Sequence, residues 1–303
     1  MPSDSAAAAL NRANWDLRAT VHGQDAYYDL AGLVAGADTL TDVEDAALAL
    51  AGRPDVRGCD VLHVQCHLGF DAVSLARRGA RVTGVDFSPV AIRRAGEIAE
   101  RCGVTVQYLE ADATALPHDL HGRFDLAYAT IGVLCWIGDI AAWMRSVAAC
   151  LRPGGALVLV DGHPLAGAVA DREPDPDGTD PDGTDLDGTE PDGTELDGSS
   201  GDGTGGLRLD FPYAYDGPHE FVVQGSYADR DAPISGTTVQ YAHSLGEIVT
   251  AAVAAGLRVT GLVEHLDAPI DLRGAGTDPD GRFRLRVDGV CLPVLFTLTA
   301  GRL

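Results

Sequence analysis

The sequence predicts an α/β fold with a doubly wound parallel sheet, on three observations. From residue 55, short β-branched runs alternate with runs of helical period. Five strand-like runs are separated by helical or loop crossovers, the pattern of a parallel sheet covered on both faces. The 303 residues are 46% hydrophobic, enough for one large core or one core plus a smaller subdomain.

Each element has its own local reason. "DVLHV" reads as the first strand and "GFDAVSLARRG" as a helix closed by Gly79; "ARVTGVDF" reads as the second strand. Ser88 caps the next helix, with Pro89 at its first position. Val90, Ala91, Ala95, Ile98, Ala99 and Cys102 give that helix one buried face before Gly103 stops it. "VTVQYLEAD" and "FDLAYAT" follow as strands three and four. A helix through "DIAAWMRSVAACL" is ended by "RPGG", and "ALVLVDG" is the fifth strand. After a long interruption come a helix, "SLGEIVTAAVAAG", and two closing strands, "LRVTGLVEHL" and "CLPVLFTLTA". In such a sheet the strand carboxyl ends line the site.

Acids outnumber bases 45 to 22, every base is arginine, and the net charge is -23. That balance argues against nucleic-acid partners, whose affinity rests on neutralising phosphates. The six cysteines are scattered with no CxxC pair, as expected of a reduced, cytoplasmic protein. "MPSDSAAAALNRANW" lacks the basic and apolar regions of an export signal, and no stretch reaches membrane-spanning length, so no membrane association is expected.

The interruption has two parts. Residues 175–204 repeat a five-residue unit six times, from "DPDGT" to "SGDGT". With 13 acids against Arg172 between Asp171 and Asp202, this stretch carries about half of the net charge and reads as a self-repelling, disordered loop. A calcium-binding reading lacks the spacing and the closing bidentate Glu. Residues 207–243 instead carry Phe211, Tyr213, Tyr215, Phe221, Tyr227 and Tyr241, and read as a substrate-side cap above the strand ends.

Between the first strand and helix lies "LHVQCHLGFDA", with Gln65 and His67 where nucleotide loops carry glycine. A pyrophosphate needs those glycines for close backbone approach. S-adenosylmethionine has no phosphate, so a tight turn and one close approach, at Gly69, suffice. Asp86 ends the second strand, 17 residues after Gly69, where a carboxylate can accept both ribose hydroxyls. Asp112 follows the third strand, placed to accept from the adenine amino group while the Ala113 N–H donates to the ring. Either acid alone also reads as a turn residue or helix cap.

With these pieces the chain resembles the class I S-adenosylmethionine-dependent methyltransferases. The resemblance rests on "LHVQCHLGFDAVSLARRGARVTGVDFS", "EADA", "FDLAYATIGVLCW" and "CLRPGGALVLVDGHP", and covers roughly residues 10–170 and 240–299. It implies a Rossmann-like seven-stranded sheet whose last strand is antiparallel, with N-terminal lid helices (1–50), a cofactor-binding core (51–165), the acidic repeat loop (171–206), the inserted cap (207–243) and a C-terminal part of the core (244–303). Cofactor contacts carried over are His63, Gln65, Cys66, His67, Gly69, Asp71, Asp86, Phe87, Asp112, Ala113 and Thr130. His63, Gln65 and His67 stand where the family usually has an acid and two glycines, which suggests an atypical subfamily acting on small molecules.

Trp15, Arg18, Tyr28, Trp136, Tyr213 and Tyr241 are candidates for the lid or substrate wall. An arginine or tyrosine among the N-terminal residues meets the cofactor carboxylate in one reading and only packs the helix in the other. His163 after the fifth strand and His243 before the next helix are the candidate catalytic bases, each with an alternative as a turn or cap neighbour. No histidine or cysteine spacing suggests a metal. The expected function is methyl transfer from S-adenosylmethionine to an O or N atom of a small molecule, by a monomer or homodimer. A catalytically silent cofactor-binding scaffold and an NAD-type oxidoreductase are the competing readings.

Overall fold

A computed structural model describes residues 4–25, 27–170, 208–209, 211–270, 277–287 and 289–303. The acidic repeat lies outside the described residues.

Strand β1 (Asp60–Val64) is buried from Val61 onward. Val61 joins the core on one face of the sheet, and Leu62 and Val64 join the core on the other. Both faces are covered, which is why its sequence reads as an apolar run and not as an alternation. β1 pairs in parallel with β2 (Arg81–Asp86) and with β4 (Phe124–Thr130). β3 (Gln107–Glu110) extends the sheet beyond β2, and β5 (Leu151–Gly162) extends it beyond β4. β6 (Leu257–His265) and β7 (Leu295–Arg302) complete it, in the order β6-β7-β5-β4-β1-β2-β3. β7 is antiparallel to both neighbours, so this is a seven-stranded sheet with the last strand reversed.

Helices cover both faces. α3 (Asp42–Leu50) and α4 (Phe70–Arg77) pack on one side, while α6 (Ile140–Cys150) and α8 (Leu245–Ala254) pack on the other. α5 (Pro89–Arg101) starts where Ser88 Oγ accepts from the Ala91 N–H at 3.0 Å, with Pro89 at its first position. Ser244 and Glu247 form a reciprocal capping box at the start of α8.

α1 (Asp4–Val21) crosses the carboxyl edge of the sheet and is fastened at both flanks. Asn11 exchanges two hydrogen bonds with the Val239 backbone, at 2.8 and 2.7 Å. Val239 lies in a hairpin of strands His219–Gln224 and Ser235–Gln240. On the other flank Ser88 donates to Asp16 Oδ1 at 2.5 Å. α2 (Leu30–Ala35) follows, and Thr41 and Glu44 form a capping box on α3.

Two boundaries differ from the sequence reading. "RPGG" does not precede the fifth strand but lies within it, as an irregularity between the pairs Phe124↔Leu151 and Leu126↔Ala156. A Cβ on Gly155 would stand 2.8 Å from the Phe124 carbonyl, so only glycine fits that contact. The last closing strand does not begin at Cys291, because Pro293 has no N–H for the ladder. Val290–Leu292 pairs separately with Leu285–Val287, and β7 begins at Leu295.

Candidate active site

A cavity of about 900 Å³ opens over the carboxyl ends of the central strands. β1 and β4 are neighbours there, where the winding of the sheet reverses, the usual ligand position in such folds. The structure brings His63, Gln65, Cys66, His67, Gly69 and Asp71 to its wall from β1, the following loop and the start of α4. Asp86, Phe87, Asp112, Ala113 and Thr130 join them from the ends of β2, β3 and β4.

The loop keeps a glycine-type backbone without the glycines. Gln65, His67 and Gly69 all have left-handed φ, at 56°, 48° and 71°. A side chain in that region costs about 1 kcal/mol or more per residue, and here each side chain forms bonds that offset it. Gln65 Nε2 donates to the Val133 carbonyl at 3.1 Å, and Gln65 Oε1 accepts from Trp143 Nε1 at 2.8 Å. The His67 ring Nε2 lies 2.8 Å from His22 Nδ1, and the main-chain N–H of His67 donates to Asp86 Oδ2 at 2.9 Å. Gly69 is different, because an added Cβ would fall 2.2 Å from the Tyr108 hydroxyl.

Asp86 is buried, and burial raises its carboxyl to about 6 against the opposing pull of the Ser88, His67 and Phe87 N–H groups. Asp112 serves as the cap of the short turn Ala113–Ala115, its Oδ1 accepting from the Thr114 N–H at 2.8 Å, and it also lines the cavity. Deeper in the wall, Asp71 accepts from three hydroxyls, those of Thr39 at 2.6 Å, Thr130 at 3.0 Å and Tyr128 at 3.3 Å. The buried His63 is held neutral, its pKa lowered to about 4 by desolvation, although Asp71 pulls the other way.

Trp15, Tyr28, Trp136 and Tyr241 line the cavity. Arg18 lies behind this wall, with its guanidinium 5.0 Å from the Trp15 ring, 5.4 Å from Trp136 and 5.6 Å from Tyr227. Only 6% of Arg18 is exposed, and it makes no hydrogen bond or ion pair with a described residue. Desolvation lowers its pKa.

Four expected site residues are not brought to the wall: Arg18, which lies behind it, His163, His243 and Tyr213. His163 caps α7 (Pro164–Ala168), its Nδ1 accepting from the Leu165 N–H at 3.1 Å, while its Nε2 lies 2.9 Å from Glu264 Oε1. His243 Nε2 donates to the Ile137 carbonyl at 2.6 Å. Both rings are buried within the fold and their pKa values are lowered by desolvation, so neither is placed to take a proton from a ligand in the cavity. Tyr213 is 43% exposed and does not line the cavity. Conversely, Thr39 and Glu44 line the cavity unannounced by any motif, Tyr227 of the aromatic segment joins them, and Tyr108 packs against Gly69 and Gly84. Among the described residues no group of three or more His, Cys, Asp or Glu gathers as a metal site, and no helix is long and apolar enough to cross a membrane.

This fold is the one that S-adenosylmethionine-dependent methyltransferases of known structure share. The family model of a methyltransferase domain matches residues 61–155. Over 125 residues the chain is 36% identical to a ubiquinone biosynthesis O-methyltransferase of Methylobacterium sp. (strain 4-46), covering 38% of this chain and 48% of that protein. A protein of the same name from Xanthomonas axonopodis pv. citri is 34% identical over 110 residues, covering 36% and 46%. The chain thus spans about half the length of these relatives. Among solved structures, an S-adenosylmethionine dependent methyltransferase from Mesorhizobium loti superposes with a TM-score of 0.54 at 22% identity, covering 89% of this chain and 100% of that one. The 1,6-didemethyltoxoflavin-N1-methyltransferase of Burkholderia thailandensis gives 0.50 at 16% identity, covering 100% and 91%. At these identities the structural likeness establishes the fold.

Proposed function

We propose that this protein transfers the methyl group of S-adenosylmethionine to an oxygen or nitrogen atom of a small molecule, working in a reducing, cytoplasmic compartment. The observation that carries the reading is the pair Asp86 and Asp112, at the ends of neighbouring strands, facing a cavity of about 900 Å³. Asp86 would hold the ribose hydroxyls and Asp112 the adenine edge, and the remaining volume would take an acceptor of moderate size. The relatives named O-methyltransferases favour an oxygen acceptor. The six free cysteines favour the reducing compartment.

Bound S-adenosylmethionine supplies an electrophilic methyl on a good leaving group. The chain's own work is then to hold the acceptor in line with that methyl and to keep water out. Trp15, Trp136, Tyr227 and Tyr241 supply flat apolar surface suited to a ring-bearing acceptor. Arg18 is a buried cation without a counter-charge among the described residues, an arrangement that is costly until an anion arrives. The carboxylate at the amino-acid end of the cofactor fits that need. Calorimetric titration of Arg18→Met with S-adenosylhomocysteine and with 5′-methylthioadenosine, which lacks the amino-acid end, tests it. Roughly 30-fold weaker binding of the first with little change in the second is expected; equal losses for both would contradict it. Incubation of the active protein with S-adenosylmethionine and a panel of phenols and amines, read by mass spectrometry as a gain of one methyl, tests the reaction.

A further inference from the structure

His67 occupies a left-handed position that glycine would take with less strain, and the cofactor reading makes no use of its ring. The ring is nonetheless engaged through one nitrogen, while its buried Nδ1 has no hydrogen-bond partner among the described residues. Its Nε2 lies 2.8 Å from His22 Nδ1, and His22 Nε2 lies 3.0 Å from Ser226 Oγ. On the other side, the His67 N–H donates to Asp86 Oδ2 at 2.9 Å. The main chain of His67 is thus tied to the Asp86 carboxylate, while its ring leads by two hydrogen bonds through His22, at the end of the α1 segment, to the turn of the 219–240 hairpin.

The line is buried at His22 and Ser226, while His67 is half-buried and lines the cavity. His22 is 0% and Ser226 7% exposed, and buried hydrogen bonds in series strengthen one another. Rings pack around it: Trp15 lies 4.9 Å from His67, Tyr227 lies 4.9 Å from His22, and the hydroxyls of Tyr28 and Tyr227 pair with each other. Burial together with the cations Arg18 and Arg94 keeps both imidazoles neutral, so one N–H bridges them without like-charge repulsion. Tyr227 follows Ser226 directly and lines the cavity, so the far end of the line sits against the substrate wall.

We propose that His67 is a positioning residue that couples the cofactor loop to the 219–240 hairpin through His22 and Ser226, so that filling the cofactor site and seating the hairpin are one event. The proposal rests on the cofactor reading above. Its consequence is that the cavity is closed to water when the methyl donor is in place, which suits a displacement that must exclude hydrolysis. A glycine at position 67 would keep the backbone and lose the coupling.

Hydrogen–deuterium exchange on the full chain, with and without S-adenosylhomocysteine, tests this in the unsubstituted protein, His22→Phe and Ser226→Ala. Ligand should slow exchange both in the loop, 63–71, and in the hairpin, 219–240. In each variant the loop should still be protected by ligand while the added protection of the hairpin is lost. Calorimetry adds a double-mutant cycle: His67→Gly and His22→Phe should each weaken S-adenosylhomocysteine by about tenfold, and the double variant no further than the worse single. Hairpin protection that survives in both His22→Phe and Ser226→Ala, or single effects that multiply in the double variant, would overturn the coupling. Should the unsubstituted protein bind no S-adenosylhomocysteine, the cofactor reading falls, and the ligand-free samples decide the coupling alone. Faster exchange of the loop in Ser226→Ala then supports it and unchanged exchange overturns it.

Discussion

Asp86 carries the most weight of any single residue, and its chemistry makes a pH prediction. Burial raises its carboxyl from 3.8 to about 6. Two ribose hydroxyls need the ionised form as acceptor, so affinity for S-adenosylhomocysteine should fall roughly tenfold per pH unit below about 6 and level off above it. Titrations at several pH values check this, and Asp86→Asn should bind weakly with a flat profile. His22, lowered to about 3, does not titrate in that window. For the fold itself the direction is opposite: a carboxyl whose folded pKa exceeds its unfolded one stabilises the protein when protonated, and that contribution is lost as pH rises from 3.8 to about 6. Asp86 and Asp112 were legible in the sequence because an acid just after a strand has a fixed place at the sheet edge. His163 and His243 also follow or precede the right elements. Their rings turn to Glu264 and the Ile137 carbonyl, a matter of side-chain direction that element order does not encode. The enclosure of Arg18 and His22 depends on how α1 lies across the sheet, which no local pattern specifies.

At the scale of elements, the cofactor loop departs from its family without changing its backbone. Gln65 and His67 adopt the left-handed conformation and tie the loop to Val133, Trp143 and His22, whereas Gly69 is confined by Tyr108. Gly69→Ala should therefore cost about 2 kcal/mol or more, through positive φ and the clash with the Tyr108 hydroxyl, read as a lowered Tm by circular dichroism. Ser244→Ala should cost only about 1 kcal/mol, because it removes a helix cap and leaves the cavity untouched. The strands from β1 to β4 and the helices α4, α5, α6 and α8 were readable because period, cap and stop signals agree there. Reading failed where one proline or glycine pair acts within the sheet, at Pro293 and at Gly154–Gly155. The hairpin at 219–240 was read only as an aromatic segment, because its partner α1 is more than 200 residues away in sequence and is joined to it by Asn11.

Over the whole molecule, a net charge of -23 with arginine as the only cation puts self-repulsion against the fold. Ion pairs such as Arg284 with Asp280 and Arg12 with Glu110 are exposed on the acidic side and contribute little each. Raising salt from about 0.1 to about 1 M shortens the screening length from roughly 10 to roughly 3 Å, so Tm at neutral pH should rise; a fall would mean that the arginine pairs outweigh the repulsion. The doubly wound sheet, its reversed last strand and the cavity above it make a methyltransferase fold, and the central claim is that the cavity is built for S-adenosylmethionine. Calorimetric titration with S-adenosylhomocysteine, run beside NAD and repeated with Asp86→Ala, tests that most directly. The account predicts micromolar binding of S-adenosylhomocysteine, no binding of NAD, and loss of the first in Asp86→Ala; binding of NAD instead, or of neither, would contradict it.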